Sequence, residues 1–135
     1  MTGLDCSENS LTTLDVSHNA ALQQLGCYTN SLSTLDVTKN TALQQLYCQG
    51  NYLTSLEVTN NTGLEVLYCC GNQIAQAQME ILVNSLFDRK NITKGFFMVH
   101  SSTTPTNVIT QTQVAKAKAK NWRVLDDNYH DYDGI

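Results

Sequence analysis

Residues 22–40 read LQQLGCYTNSLSTLDVTKN, and they hold one pattern twice. Leu22, Leu25, Cys27 and Asn30 follow the spacing Leu-x-x-Leu-x-Cys-x-x-Asn. Leu32, Leu35, Val37 and Asn40 repeat it with valine in place of cysteine. The stretch is one unit of a longer series. Cys6, Cys27, Cys48 and Cys69 are each 21 residues apart, as are Val16, Val37 and Val58. The cysteine halves begin at Met1, Leu22, Leu43 and Leu64, and the valine halves at Leu11, Leu32 and Leu53. Of 28 template positions only Met1 departs, and methionine is itself apolar. A fixed period of this length marks a solenoid.

The template has a direct physical meaning. Leu-x-Cys and Leu-x-Val place two apolar side chains on one face of an extended segment. The first leucine of each half packs where the chain enters that segment. One half cannot bury its apolar face alone, whereas stacked turns bury a continuous core. Successive turns then lie about 4.8 Å apart, as neighbouring strands do. The asparagine ending each half faces a turn whose backbone groups need partners. Its amide supplies them as an inward ladder. Both halves carry the pattern, so strands are expected on both sides of the coil.

These residues resemble the leucine-rich-repeat family. More narrowly, they resemble the bacterial class of 21-residue nested repeats, in which Leu-x-x-Leu-x-Cys-x-x-Asn alternates with Leu-x-x-Leu-Asp-Val-x-x-Asn. Here the second form reads LTTLDVSHN, LSTLDVTKN and LTSLEVTNN. The resemblance covers residues 1–74. It implies an interaction scaffold of a surface or secreted protein, hence an extracellular or cell-surface location, of the kind common in gut anaerobes.

Beyond Asn72 the template stops. Ile74, Met79, Leu82, Val83 and Leu86 follow helical spacing, which predicts a helix from about Gln76 to Phe87. The polar run Asp88-Arg89-Lys90-Asn91 ends it. Gly95 to His100 reads as a strand, and a loop rich in Ser and Thr with the sole proline, Pro105, follows. Thr110 and Gln113 have the form of a capping box for a helix through Lys120, with Asn121 as its C-cap. Trp122 to Leu125 reads as a second strand. The segments NVIT and QVAKAKAK followed by Trp122 also resemble the C-terminal ending found after such bacterial repeats. The expected fold is a leucine-rich-repeat solenoid of stacked parallel strands over residues 1–74. A helix–strand–helix–strand cap over 75–135 closes it, packed with the repeats as one domain. Met1 already stands at a template position, so the first repeat is expected to lack a cap. The chain then either continues a longer array, the preferred reading, or meets a second copy of itself there.

Composition narrows the function. Charged residues make up 15% of the chain, against about a quarter in most domains, and the net charge is −4. The one basic cluster, Lys116, Lys118, Lys120 and Arg123, reads as the solvated face of a helix balanced by the acidic tail. Nucleic-acid binding is therefore not expected. No apolar run approaches the roughly 20 residues of a membrane span, and none of these residues reads as a signal peptide.

Candidate chemistry is sparse. The laddered cysteines occupy core positions and run parallel, which suits neither a disulfide nor a converging zinc site. They read as reduced and inert. Cys70 should point outward, as a reactive thiol or an incidental surface cysteine. His18, His100 and His130 lack ligand spacing. Asp15, Asp36 and Glu57 form an acidic row on one outer face, readable as solvated carboxylates or as a weak calcium site. No nucleophile neighbours them. No nucleotide-binding, metalloprotease or serine-hydrolase motif is present. No enzyme, cofactor or metal is expected.

The face beside the cysteines is more suggestive. Its outward positions include Gln24, Tyr28, Gln45, Tyr47, Gln49 and Tyr68. Tyrosine gives large contact area at low entropic cost, and glutamine gives adaptable hydrogen bonds. A protein partner is the first expectation for this face. A glycan is the second, and a purely structural spacer the third.

Overall fold

A computed structural model of the chain describes residues 1–104 and 106–135; Pro105, assigned to a loop above, lies outside the described residues. Four short strands come from the cysteine halves: β1 (Gly3–Asp5), β2 (Gln24–Gly26), β3 (Gln45–Tyr47) and β4 (Val66–Tyr68). Then follow α1 (Gln76–Ser85), β5 (Gly95–His100), α2 (Gln111–Ala119) and β6 (Trp122–Asp126). The six strands form one parallel sheet in chain order. Leu4, Leu25, Leu46, Leu67, Phe97 and Val124 are in register and make one inward column. Leu25, Leu46, Leu67, Phe97 and Val124 are buried in a core that also takes Met79, Leu82 and Val83 of α1 and Val114 and Ala117 of α2. The valine halves, with Val16, Val37 and Val58, cover the inner side of the sheet along the repeats, and the helices cover it at the C-terminal end; its other face stays open.

The valine halves form no strands, contrary to the expectation of strands on both sides. Val16, Val37 and Val58 are buried as predicted. Their backbones, however, find other partners. Asp15 and Asp36 accept the amides of Ser17 and Thr38, each at 2.9 Å, which turns the chain within its own half. Asparagine amides then hold one turn to the next. Asn40 Nδ2 donates to Val16 O at 2.9 Å and Asn19 O at 3.0 Å; Asn61 Nδ2 donates to Val37 O at 3.0 Å and Asn40 O at 2.9 Å.

The asparagines of the cysteine halves form the inward ladder. Asn51 Nδ2 donates to Cys27 O at 3.0 Å and Cys48 O at 3.1 Å, while its Oδ1 accepts from Leu32 N at 3.0 Å. Asn72 repeats this with Cys48, Cys69 and Leu53. The ladder then continues beyond the repeats. Asn107 Nδ2 donates to Cys69 O at 2.9 Å and Val99 O at 3.0 Å, and its Oδ1 accepts from Ile74 N at 2.9 Å. The C-terminal segment thus reuses the repeat's own device, with Phe97 and Val99 in the places of leucine and cysteine.

Both helices run close to expectation. Thr110 and Gln113 form the reciprocal capping box of α2. Lys120, rather than Asn121, is its C-cap; Asn121 is one residue further on, with φ of 65°. Helix α1 stops at Ser85, before the predicted Phe87. Its exposed carbonyl end is gathered by Lys120 Nζ, which donates to Asn84 O at 2.8 Å, Leu86 O at 2.9 Å and Val83 O at 3.2 Å. Only Lys120 leaves the solvated face expected for the basic cluster; the other members stay exposed, and two of them are balanced by the acidic tail as expected. Lys116 pairs with Glu80, Lys118 with Asp133 at 2.6 Å and Arg123 with Asp131 at 2.7 Å.

Arg89, read from sequence as part of a polar stretch, is 2% exposed. Its Nη1 donates to Leu64 O at 2.9 Å and its Nε to Thr93 O at 2.8 Å. Its guanidinium lies 5.8 Å from the centre of the Trp122 ring. A Cβ on Gly95 would come within 2.5 Å of that ring, so only glycine fits there.

Candidate interaction face

The open face of the sheet is built by alternation. Strand residues flanking the inward leucine column point away from the core. Two outward columns result: Gly3, Gln24, Gln45 and Val66 on one side, Asp5, Gly26, Tyr47 and Tyr68 on the other. Tyr28, Gln49 and Cys70 lie two residues further along each turn. Cross-turn bonds persist past the strands: Thr29 N donates to Gln49 O at 2.9 Å and Gly50 N to Cys70 O at 3.0 Å. This backbone lattice holds the predicted residues in rows.

The structure brings several of them together. The rings of Tyr47 and Tyr68 meet edge to face with centroids 5.2 Å apart. Tyr47 Oη donates to Gln45 Oε1 at 3.2 Å. Partial burial pushes both phenols above their ordinary pKa, so they stay protonated donors at neutral pH. Tyr129 of the C-terminal tail continues the row 6.2 Å from Tyr68. It was invisible as a site residue in sequence, since it lies outside the repeat and reaches the face only through the turn after β6. Its φ of 62° and the bond of its amide to Asp126 O at 3.1 Å place it there. Gln49 Oε1 is buried and has no partner among the described residues. Tyr28 stands apart, beside Asp5 and Gly26.

Cys70 departs from expectation. It faces outward as predicted, but Tyr68, Met98 and Leu125 cover it in a small second cluster, leaving it 6% exposed. Burial, reinforced by the nearby Asp127 carboxylate, pushes its thiol up to about 11. It is neither a surface cysteine nor an activated one. The laddered cysteines are free thiols. Burial raises Cys27 to about 12 and Cys48 and Cys69 well above the usual thiol range.

The acidic row of Asp15, Asp36 and Glu57 is satisfied locally. Asp36 Oδ1 takes the Thr38 hydroxyl at 2.6 Å and Glu57 Oε1 takes the Thr59 hydroxyl at 2.7 Å. Among the described residues, no three His, Cys, Asp or Glu side chains are grouped to hold a metal. No helix there is long and apolar enough to cross a membrane.

No protein-family model matches the chain, and no curated protein does. Solved structures do. The functional domain of InlJ from Listeria monocytogenes, described as including a cysteine ladder, is 30% identical with a TM-score of 0.62, over 93% of this chain and 29% of that one. The internalin inlF from the same species is 21% identical with a TM-score of 0.68, over 94% of this chain and 34% of that one. The chain is a bacterial leucine-rich-repeat protein. It spans about a third of the length of the internalins it matches. Like InlJ, this leucine-rich-repeat protein stacks its cysteines in register, at Cys6, Cys27, Cys48 and Cys69.

Proposed function

We propose that this leucine-rich-repeat protein is a non-catalytic protein-interaction module of a bacterial surface or secreted protein, and that it binds through the open face of its sheet. The observation that carries this reading is the row Tyr47–Tyr68–Tyr129. Three aromatic rings, two on the neighbouring strands β3 and β4 and one in the turn after β6, line up on the open face of the sheet. Gln24, Gln45 and Gln49 flank the row with amides, and Tyr28 extends it toward β1. A face held by backbone bonds binds with little ordering cost. The likeness to internalins supports a partner that is a protein and a location at or outside the cell surface.

The test is capture by the immobilised domain compared with a Tyr28→Ser/Tyr47→Ser/Tyr68→Ser variant of matched folding. The expected result is a partner retained by the parent and lost by the variant. Equal capture by both would move the binding surface off these residues. Capture of glycans rather than proteins on an array would replace the protein partner with a carbohydrate.

A further inference from the structure

The outward column Asp5–Gly26–Tyr47–Tyr68 has a gap. Gly26 stands where the next two turns carry tyrosine. The gap is partly filled from the neighbouring strand: a Cβ on Gly26 would lie 2.9 Å from Asp5 Oδ1 and 3.2 Å from its Cγ. The Asp5 carboxylate therefore leans across β2. Around it opens a depression of about 440 Å³, walled by Tyr28 and Tyr47 and floored by Gly26 and Leu4.

The charge of this depression is fixed and uncompensated. The Ser7 hydroxyl and amide beside Asp5 hold its carboxyl below the usual carboxylate range, so it is ionised at neutral pH. The Ser7 amide donates to Oδ1 at 3.0 Å, and Oδ2 has no hydrogen-bond partner among the described residues. Among the described residues, no lysine, arginine or histidine nitrogen pairs with Asp5. The field around it has the same sign: residues 1–74 carry six carboxylates and one lysine, Lys39.

An exposed carboxylate on the lining of a depression with two tyrosine walls matches a cation on an apolar stem. The carboxylate takes the charge and its hydrogen bonds, the ring faces attract it further, and the stem lies along the rings. We infer that the Gly26 notch is the specificity pocket of the interaction face and seats an arginine or lysine side chain of the protein partner. This rests on the proposed function. It adds the chemistry of the partner's anchor residue.

The experiment is a titration of the isotopically labelled chain with a blocked hexa-arginine peptide and, separately, a hexa-glutamate peptide, read by amide chemical shifts. The basic peptide is expected to produce saturable shifts centred on Gly26, Tyr28 and Tyr47, and the acidic peptide none. Asp5→Asn keeps the shape and the Ser7 bond, and should weaken binding at least about fivefold. Asp36→Asn removes the same charge on the other side of the coil and should change nothing. Equal binding by the Asp5 variant, or shifts centred on the Asp36–Glu57 row, would overturn the inference. Its failure is distinct from failure of the face. A natural partner lost by the triple tyrosine variant but kept by Asp5→Asn sinks the cation pocket alone. A partner kept by the tyrosine variant sinks the face.

Discussion

Single residues of this solenoid do unequal work at equivalent template positions. Asn51 makes three bonds in a dry interior, whereas Asn9, its equivalent two turns earlier, is exposed and bonds only its own turn. Asn51→Ala should cost about 2–3 kcal/mol and Asn9→Ala under about 1 kcal/mol, read by urea unfolding; equal losses would mean the ladder is not what joins the turns. The residue before each of these asparagines is just as telling. Glu8, Thr29, Gly50 and Gly71 are 21 apart and all adopt left-handed backbone, with φ of 56°, 53°, 66° and 64°. That conformation strains a β-branched residue. Thr29→Gly should therefore gain about 0.5–1 kcal/mol, the relief of strain less the extra entropy of the unfolded glycine. A loss in the same unfolding assay would show that Thr29 holds its turn by its side chain. Thiol chemistry follows burial in the same way. Burial raises the pKa of all five thiols, but Cys6 is only half-buried, whereas Cys27, Cys48, Cys69 and Cys70 are buried. Native iodoacetamide labelling at neutral pH, located by mass spectrometry, should mark Cys6 first; labelling of Cys70 at the same rate would contradict its cover by Met98 and Leu125.

At the scale of elements, what was legible in sequence is what the period controls. The inward leucines, the buried valines, the asparagine ladder and the capping box of α2 follow from local spacing, and the structure has them. The valine halves form no strands although they share the template, so the spacing does not separate the two halves; Asp5 at the end of β1 makes the same bond two residues on that Asp15 and Asp36 make. Arg89, Lys120 and Tyr129 act through residues far away in sequence, so no window around them shows what they do. Of the face, the tyrosine and glutamine rows were readable from alternation. The cover over Cys70 was not, because Met98 and Leu125 come from beyond the repeat. Lys120 shows how much such a contact changes. In sequence it is one of three alternating lysines; in the fold it caps the carbonyl end of α1, where a cation also complements the helix dipole. Lys120→Met should lower stability by about 1 kcal/mol, and Lys116→Met, which breaks only a surface pair with Glu80, by a few tenths at most. Guanidinium melts of the two variants decide this, and equal effects would return Lys120 to the solvated face.

For the whole molecule the question is whether residues 1–74 and 75–135 fold as one unit. The sheet passes from β4 to β5 without a break, with Phe96 N donating to Glu65 O at 2.8 Å and Cys69 N to Met98 O at 2.9 Å. Side chains cross the same boundary. Arg89 reaches Leu64 O, Asn107 reaches Cys69 O, and Ser85 Oγ accepts from Val58 N at 3.1 Å. Without the later segment, β4 would present an open edge and these buried carbonyls and amides would lose their partners. Stacked repeats couple through nearest neighbours, so such an interface transmits stability along the coil. The sole tryptophan, Trp122, is buried in the later segment and its Nε1 donates to Phe87 O at 2.9 Å, which makes its fluorescence a local reporter. Far-UV dichroism reports the whole chain. If the two parts are one cooperative unit, both signals move together in urea. Asn51→Ala, three strands away from Trp122, then lowers the fluorescence midpoint as much as the dichroism midpoint. A fluorescence midpoint that ignores Asn51→Ala would instead mean that the C-terminal segment holds itself together, with the repeats melting separately beside it.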